Sequence, residues 1–266
     1  MGQVRVFDLP HYDELNRARG EVVTRLLAEL KDPLQLHTAM DVGCGVGYFS
    51  GLLQSLGLAV TGVDGRKGNA EEAARRVPGV TFHTVNVEDS EFCSLGTFDL
   101  VFCFGLLYHL ESPFRAIRNL HALTGKVLAV ESMCAPGSTV SMELLDESGW
   151  EDQGLNHVAF YPTEPCLVKM LYRAGFPFVY GLATPPDHAD FRESQLRRKA
   201  RTMLMVSKQE LKTRALILLK EPMRVQDIWI VPPEFSGPRF GRMADLVRRR
   251  MARLALRNPR NSEGDG

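Results

Sequence analysis

The chain has 266 residues, of which 44% are hydrophobic, and its formal net charge is zero. This length can bury one large α/β core together with a small appendage. No apolar run approaches the length of a membrane span, and the N-terminus lacks the apolar core of a signal peptide, so we expect a cytoplasmic protein. The five cysteines have no metal-ligand spacing, which favours reduced thiols and no metal site.

The first element is an amphipathic helix predicted over residues 11–31, where apolar side chains recur on one face. Tyr12 and Arg19 lie on the earlier turns of this helix. Taken alone, the pattern favours a packing helix that carries a solvated arginine.

A glycine-rich turn follows, between a predicted strand at Ala39–Val42 and a helix that begins at Tyr48. Glycines in the pattern G-x-G-x-G let the backbone bend sharply and let a ligand lie against bare main chain. A second strand, Leu58–Val63, is followed by Asp64, whose carboxylate can accept two hydrogen bonds from a ribose diol. The two strands together predict a nucleoside site.

At this turn the chain resembles the class I S-adenosylmethionine-dependent methyltransferases, whose first motif is an acid followed by G-x-G-x-G. The matching positions are Asp41, Gly43, Gly45, Gly47 and, at the second strand, Asp64. The resemblance runs from Thr38 to Ser207 and implies a Rossmann-like fold, a three-layer α/β sandwich with a seven-stranded, mostly parallel sheet. It also implies S-adenosyl-L-methionine as the cofactor, with the first motif around its methionine part and Asp64 on its ribose.

The resemblance implies further cofactor contacts along the chain. Asn86, beside the Val87 backbone, stands where the family places an acid or amide that binds the adenine amino group, with Glu88 or Asp89 as alternatives. Arg19 lies upstream of the first motif, where an arginine could pair with the cofactor carboxylate. The predicted cofactor site comprises Asp41, Gly43, Gly45, Gly47, Tyr48, Asp64, Gly65, Arg66, Asn86, Val87, Glu88, Phe104 and Leu107.

Strands and helices continue to alternate after the second strand, which specifies a parallel sheet with right-handed crossovers. Ser112 is predicted to cap a helix that begins at Pro113. Residues 133–162 have an irregular pattern, and an insertion at this point is where an active-site lid would lie. The remaining predicted elements are strands at Val80–Val85, Phe98–Cys103, Lys126–Val130, Phe178–Leu182 and Thr202–Val206, and helices at Arg66–Arg76 and Thr163–Gly175.

Methyl transfer needs a donor aligned with a nucleophile, and in some cases a base that removes a proton. The family places its substrate-facing residues just after the fourth strand, which points to Tyr108 as a pocket residue and His109 as a general base. A structural histidine satisfied by the backbone is an equal alternative for His109. Glu131, after the fifth strand, can orient a hydroxyl or an ammonium, and His157 and Tyr161 are weaker candidates. The other five histidines are assigned to structural or surface positions.

The stretch Gly105–Pro113 also resembles the G-x-L-Y-H-x-x-x-P element of the tRNA wobble-uridine carboxymethyltransferase domain. Those enzymes carry an additional N-terminal domain, which the segment before Thr38 is too short to supply, and the same element occurs in small-molecule methyltransferases. The sequence therefore favours a methyltransferase that acts on an oxygen or nitrogen of a small molecule. The alternatives are an RNA-modifying methyltransferase or carboxymethyltransferase and a non-catalytic, cofactor-binding interaction protein.

The end of the chain differs from the rest in charge. Residues 1–190 hold 14 Lys+Arg and 24 Asp+Glu, whereas residues 191–266 hold 18 and 8. The basic extension, with a helix predicted over Arg242–Arg257, can bind RNA, an anionic membrane or the acidic body, and among these we favour the acidic body. A solvated, partly helical tail is an equal alternative. We predict three parts: an N-terminal helical segment at 1–36, a methyltransferase domain at 37–208 and a partly disordered basic extension at 209–266.

Overall fold

The computed structural model describes residues 6–147, 154–193 and 199–223. The helices in these ranges are α1 (Pro10–Leu30), α2 (Tyr48–Ser55), α3 (Lys67–Arg76), α4 (Pro113–Leu123) and α5 (Glu164–Ala174). The strands are β1 (Thr38–Val42), β2 (Ala59–Asp64), β3 (Thr81–Thr84), β4 (Phe98–Phe104), β5 (Thr124–Met133), β6 (Met142–Asp146), β7 (Val158–Pro162), β8 (Phe178–Leu182), β9 (Arg201–Ser207) and β10 (Leu216–Leu218).

Eight of these strands form one sheet, in the order β10-β8-β9-β5-β4-β1-β2-β3. Strands β1 to β5 are parallel to one another, and β9, β8 and β10 each pair in antiparallel fashion, with β9 next to β5. The predicted fold class, an α/β protein with a mostly parallel sheet, is confirmed. Because β1 pairs with β2 on one side and with β4 on the other, the strand order reverses at β1 and leaves a crevice at the carboxyl ends of these strands.

Helices cover both faces of the sheet, so that the central strands are buried on both sides. One apolar cluster contains Leu171 of α5 and residues of α4, and the other contains Leu26 of α1 and residues of α2. Strand β4 alternates between the two clusters, with Val101 in the first and Phe102 in the second. The alternation explains the nearly continuous apolar sequence of this strand.

Two parts of the chain differ from the sequence prediction. The insertion at 133–162, predicted to be irregular, contains the antiparallel hairpin of β6 and β7. Strand β10, predicted as part of the extension, pairs with β8 and adds an eighth strand to the seven predicted. Four of the five β6 residues are exposed, and two of the three β10 residues are exposed, so neither strand has an alternating pattern that could reveal it.

The predicted starts of α4 and α5 differ in their capping. Thr163 caps α5, because its Oγ1 accepts a hydrogen bond from Cys166 N at 3.3 Å. Ser112 precedes α4 as predicted, but its side chain makes no capping hydrogen bond. Its backbone N–H donates instead to Glu88 Oε1 at 2.5 Å.

The predicted N-terminal segment consists largely of α1, whose apolar face belongs to the core cluster that also contains residues of β4. Residues 224–266 of the basic extension, which include the helix predicted over Arg242–Arg257, lie outside the described residues. Within the described ranges, no helix combines the length and the apolar character needed to cross a membrane.

Candidate active site

The glycine turn between β1 and α2 brings other side chains against bare main chain. Gly43 and Gly45 adopt φ angles of +72° and +54°, a region that favours glycine. A Cβ atom on Gly45 would lie 2.8 Å from the Phe7 ring, and one on Gly43 would lie 3.0 Å from Leu106. Gly43 N also donates to Val63 O at 2.9 Å, which ties the turn to β2. A larger residue at either glycine would therefore change the shape of the turn.

A cavity of about 590 Å³ lies at the carboxyl ends of β1, β2 and β4, and we call it the first cavity. Side chains from α1 and the residues before it also line the first cavity, among them Phe7, Tyr12, Asn16 and Arg19. Most of the predicted cofactor residues line it as well: Gly43, Gly47, Tyr48, Asp64, Gly65, Arg66, Asn86, Val87 and Phe104.

Asp64 ends β2 and lies in the wall of the first cavity. Its Oδ2 accepts a hydrogen bond from Gly45 N at 3.0 Å, and its Oδ1 accepts from Arg66 N at 2.8 Å and from Asn69 Nδ2 at 3.2 Å. Burial raises the pKa of Asp64, and these hydrogen bonds oppose the shift without cancelling it. A carboxylate offers roughly four acceptor sites, more than these three bonds use. Asp64 can therefore accept a hydrogen bond from a ligand hydroxyl.

Asp41 lies behind the cavity wall and does not line it. It is buried, and its Oδ2 accepts a hydrogen bond from Ser50 Oγ at 2.6 Å. Burial raises the pKa of Asp41 to about 7, against the opposing effect of the Ser50 hydrogen bond. Asp41 therefore fixes the base of the glycine turn to α2 and does not offer its carboxylate to a ligand.

Three further predicted cofactor residues do not line the first cavity. Gly45 contributes through its N–H to Asp64 and through its contact with Phe7. Glu88 does not line the first cavity, and its Oε1 accepts a hydrogen bond from Ser112 N just before α4. Of the residues predicted to bind adenine through a side chain, Asn86 is the one that lines the cavity. Leu107 is buried in the core, and the neighbouring Leu106 takes its predicted place in the wall.

Glu131 joins two buried arginines at the edge of the first cavity. Its Oε2 lies 3.3 Å from Arg19 Nη2, and its Oε1 accepts from Arg201 Nη1 at 3.0 Å. Glu131 is fully buried, and Arg19 and Arg201 are 4% and 7% exposed. The prediction of a solvated Arg19 is therefore wrong. Glu131 lines neither the first cavity nor the second cavity described below, and its contacts hold the two arginines in place.

The same ion cluster reaches Tyr108 and Asp190. Arg201 Nη1 lies 3.5 Å from Tyr108 Oη, and Arg201 Nε lies 3.5 Å from Asp190 Oδ2. Burial lowers the pKa of Arg201, but Tyr108 and Glu131 outweigh that effect and raise it. For Arg19, burial is the larger effect and lowers the pKa. Both arginines thus depend on nearby acidic groups to remain charged in a buried position.

A second cavity, of about 550 Å³, shares Tyr12, Tyr108 and His109 with the first. Its other lining residues come from distant parts of the chain, including α1, the hairpin of β6 and β7, and β9. Tyr161, a weaker candidate from the sequence, lines this cavity and packs edge-to-face on Tyr108 with 5.6 Å between ring centroids. Polar residues among its lining that the sequence did not single out are His11, Asp146, Glu147, His188, Asp190 and Arg201.

His109 is held by a side chain and not by the backbone. Its Nδ1 is hydrogen-bonded to Glu147 Oε1, and Gly154 N donates to Glu147 Oε2 at 3.0 Å. Burial raises the pKa of Glu147, but the contacts with His109 and Gly154 outweigh it, so the pKa is lowered. Gly154 O in turn accepts a hydrogen bond from Arg66 in the wall of the first cavity. The hairpin segment (142–147 and 154–162) therefore contacts both cavities.

Glu147 and Arg201 are the main site residues that the sequence analysis missed. Glu147 follows an exposed strand with no alternating pattern, so nothing local distinguishes it from a surface acid. Arg201 offers a weak signal, since it is a charged residue at the start of the apolar stretch Thr202–Val206. No group of three or more His, Cys, Asp and Glu side chains is placed to hold a metal ion within the part of the chain that the structure describes.

The fold and the cavity at the reversal of strand order define an α/β domain of the nucleotide-binding type. A family model described as "Methyltransferase domain" matches residues 40–126. The tRNA U34 carboxymethyltransferase of Methylococcus capsulatus is 30% identical over 166 residues, which cover 59% of this chain and 50% of that protein. The enzyme of the same name from Mannheimia succiniciproducens is 28% identical over 159 residues, 54% of this chain and 46% of that protein. The chain spans about half the length of these relatives.

Solved structures show the same fold at low sequence identity. The N-terminal domain of EvdMO1 with SAH bound has a TM-score of 0.56 at 20% identity, covering 74% of this chain and 81% of that one. Magnesium protoporphyrin IX methyltransferase from Synechocystis PCC 6803 with bound SAM has a TM-score of 0.51 at 21% identity, covering 79% and 86%. Residues 40–126 thus match a methyltransferase family, and these comparisons support the class I S-adenosylmethionine-dependent methyltransferase that the sequence predicts, with S-adenosylmethionine as the cofactor.

The residues of the first cavity fit this cofactor. Its volume lies in the range of small-molecule and cofactor sites. The glycine turn offers main chain that a Cβ atom would cover, and Asp64 offers acceptors for ribose hydroxyls. Arg19 adds a buried cation whose Nε has no hydrogen-bond partner among the described residues, as suits an anionic ligand group.

Proposed function

We propose that the protein is an S-adenosylmethionine-dependent methyltransferase that transfers a methyl group to an oxygen or nitrogen of a small molecule. The observation that carries the proposal is the pair of cavities that meet at Tyr108 and His109. One cavity fits the cofactor, and the second, of about 550 Å³, has the volume of a small-molecule site. A methyltransferase needs two such sites side by side, because donor and acceptor must be aligned.

In the first cavity, we assign the ribose to Asp64, the adenine edge to Asn86 and the methionine part to the glycine turn. Arg19 is the candidate partner of the methionine carboxylate, which would give the buried guanidinium a second anion besides Glu131. The cofactor supplies an electrophilic methyl group on a sulfonium. The protein's task is then to exclude water and to align the acceptor with that methyl group.

In the second cavity, Tyr12, Tyr108 and Tyr161 supply aromatic surface, and Arg201 and Asp190 supply polar groups. Aromatic walls with a few placed polar groups are typical of sites for small organic molecules. His109 lies in the wall shared by the two cavities, where a general base can receive the proton of the acceptor.

A labelled-methyl screen tests the proposal. The full-length protein is incubated with methyl-labelled S-adenosylmethionine and a metabolite extract, and labelled products are identified by mass. We expect one small product, which forms more slowly at limiting S-adenosylmethionine when the Asp64→Ala variant replaces the wild type. A labelled macromolecule, or no transfer to any component of the extract, would contradict the assignment to small molecules.

A second candidate is an RNA-modifying methyltransferase or carboxymethyltransferase. Its support is the similarity to tRNA U34 carboxymethyltransferases over more than half of the chain, together with the basic composition of residues 191–266. Binding of labelled tRNA by the full-length protein, titrated with potassium chloride, distinguishes the two. RNA binding that weakens steeply with salt, and transfer of label to tRNA, would favour this candidate.

A cytoplasmic location is part of the same proposal. All five cysteines are free thiols, and four of them are buried. Reduced thiols of this kind are common in proteins of a reducing compartment.

A further inference from the structure

We infer that Glu147 is a positioning residue that makes His109 a base, and that the methyl acceptor is therefore a hydroxyl group. The inference rests on the proposed function and names the acceptor class that the proposal leaves open between oxygen and nitrogen. Glu147 lies in the hairpin segment. It is therefore outside the glycine turn and the stretch after β4, to which the family resemblance assigns cofactor-binding and substrate-facing residues.

The carboxylate of Glu147 fixes which nitrogen of His109 carries the proton. Glu147 Oε1 is the partner of His109 Nδ1, and the side chains are 9% and 10% exposed. An ionised carboxylate can only accept, so Nδ1 carries the hydrogen, and in the neutral form of the ring the lone pair is then on Nε2. The contacts that keep Glu147 ionised are those with His109 itself and with Gly154 N. The pair therefore holds His109 in the tautomer that a base requires.

The second ring nitrogen of His109, Nε2, belongs to a side chain that lines both cavities. Nε2 is buried and has no hydrogen-bond partner among the described residues. His109 lines both cavities, so its ring forms part of the boundary between the cofactor and the acceptor. A buried acceptor without a partner favours a ligand that brings a donor to it. A hydroxyl on the acceptor molecule is such a donor.

The arrangement suits a hydroxyl better than the other acceptors. A neutral amine attacks with its own lone pair and can lose its proton afterwards, and a carboxylate has no proton to lose. A hydroxyl is a poor nucleophile until its proton is removed, and a positioned base accelerates such steps by about 10²–10⁴-fold. The proton passes to His109 Nε2 as the oxygen bonds to the methyl carbon, and the C–S bond breaks with its electron pair on sulfur. Glu147 then balances the charge of the imidazolium.

The hairpin segment ties this base to the first cavity. Glu147 directly follows β6, and Gly154, which donates to it, accepts a hydrogen bond from Arg66. Leu155 lies against Gly65, where an added Cβ would be 3.0 Å from its Cδ1. Arg66 and Gly65 both line the first cavity. The residue that orients the base is thus held by the same contacts that border the proposed cofactor site.

Glu147→Gln tests this role directly, because the hydrogen bond from Gly154 N fixes the orientation of the Gln side-chain amide. The Gln carbonyl oxygen has to take the place of Oε2 to accept from Gly154 N, so the NH₂ group faces His109 Nδ1. Nδ1 then becomes an acceptor, and the proton moves to Nε2. Glu143→Gln, an exposed position on the same hairpin, is the matched control for the loss of one charge.

The direct readout is the tautomer of His109 in the cofactor-free protein. Imidazole nitrogens are followed by ¹⁵N NMR at about pH 8.5, two units above the ordinary histidine pKa, and His109 is assigned by its loss in His109→Ala. We expect the Nδ1–H tautomer in the wild type and in Glu143→Gln, and the Nε2–H tautomer in Glu147→Gln. A wild type with its proton on Nε2, or the same tautomer in all three proteins, overturns the role of Glu147.

Kinetics and product chemistry complete the test. We expect Glu147→Gln to lower kcat by about 10²–10⁴-fold with the Kd of S-adenosylmethionine unchanged, whereas Glu143→Gln keeps both. A methyl ether as the labelled product supports the hydroxyl, and a methylated nitrogen overturns the hydroxyl while leaving the proposed function intact. Absence of any transfer overturns the proposed function and the hydroxyl together, and the tautomer measurement still decides the role of Glu147.

Discussion

The two cavities share three residues but are built in different ways. The first is formed by the ends of neighbouring parallel strands and the turns that follow them, including the glycine turn, with residues of α1 on one side. The second is formed by side chains from α1, the hairpin segment and β9, held by the buried cluster of Glu131, Arg19 and Arg201. A cavity of the first kind depends on backbone conformation, whereas a cavity of the second kind depends on long-range polar contacts. We therefore expect substitutions in the two regions to act on different measured quantities.

His109→Ala should produce the largest effect and should separate chemistry from cofactor binding. Removal of the proposed base should lower kcat by about 10²–10⁴-fold, while the Kd of S-adenosylmethionine changes little. Steady-state kinetics and calorimetry measure the two quantities. His83→Ala, at an exposed position on β3, is the control. Turnover equal to that of the control would return His109 to a structural role.

Glu131→Ala tests whether the second cavity depends on its ion cluster. The substitution leaves Arg19 and Arg201 buried without their shared carboxylate, so the free energy of unfolding should fall by about 3–5 kcal/mol. Chemical denaturation measures it. Glu71→Ala removes a carboxylate from an exposed pair with Lys67 and should cost less than about 1 kcal/mol. If the free energy of unfolding falls by less than about 1 kcal/mol in both variants, the cluster does not stabilise this region.

Asp64→Ala tests the first cavity through the affinity for S-adenosylmethionine. Loss of the proposed ribose contact should weaken binding of S-adenosylmethionine by about 1.5–3 kcal/mol, the range for hydrogen bonds to a charged group. Calorimetry measures the Kd, and Glu91→Ala, at an exposed position outside both cavities, should bind as the wild type does. Equal affinity in the Asp64 variant and the wild type would disprove the ribose assignment.

Asp41→Asn should have the smallest effect, visible as a change in pH dependence. The native pKa of Asp41, about 7, lies above its ordinary value of 3.8, so the folded protein keeps a proton that the unfolded chain releases between these values. The free energy of unfolding of the wild type should therefore fall as pH rises from about 4 to 7, and the Asn variant should lack this contribution.

Denaturation of both proteins at each end of this pH range measures the difference. After relaxation of the buried site we expect about 1.4 kcal/mol, the equivalent of one pKa unit. An identical pH slope in the two proteins would show that Asp41 does not titrate in this range.

The fold and the first cavity could be predicted because their signals are local in the sequence. The glycine spacing, the acid after the second strand and the apolar strands each lie within a few residues, and backbone geometry alone converts them into a turn and a strand end. The same locality explains why the sequence placed Leu107 and Asp41 among the cavity residues although neither lines the first cavity. A motif predicts which turn a residue belongs to, but which of two adjacent side chains faces a cavity depends on packing against the rest of the protein.

The second cavity could not be predicted from local sequence, because its lining residues meet only in the tertiary structure. Glu147 is 38 residues from His109, and Arg201 is 70 residues from Glu131 and 93 from Tyr108. A single acid or arginine gives no local sign of such a partner, because burial and pairing depend on how distant segments fold against each other. The sequence by itself thus indicated a methyltransferase domain, seven strands of the sheet and most of the proposed cofactor site. The pairing of His109 with Glu147, and the wall around the proposed acceptor, follow from contacts that exist only once β5, β9 and the hairpin segment have come together.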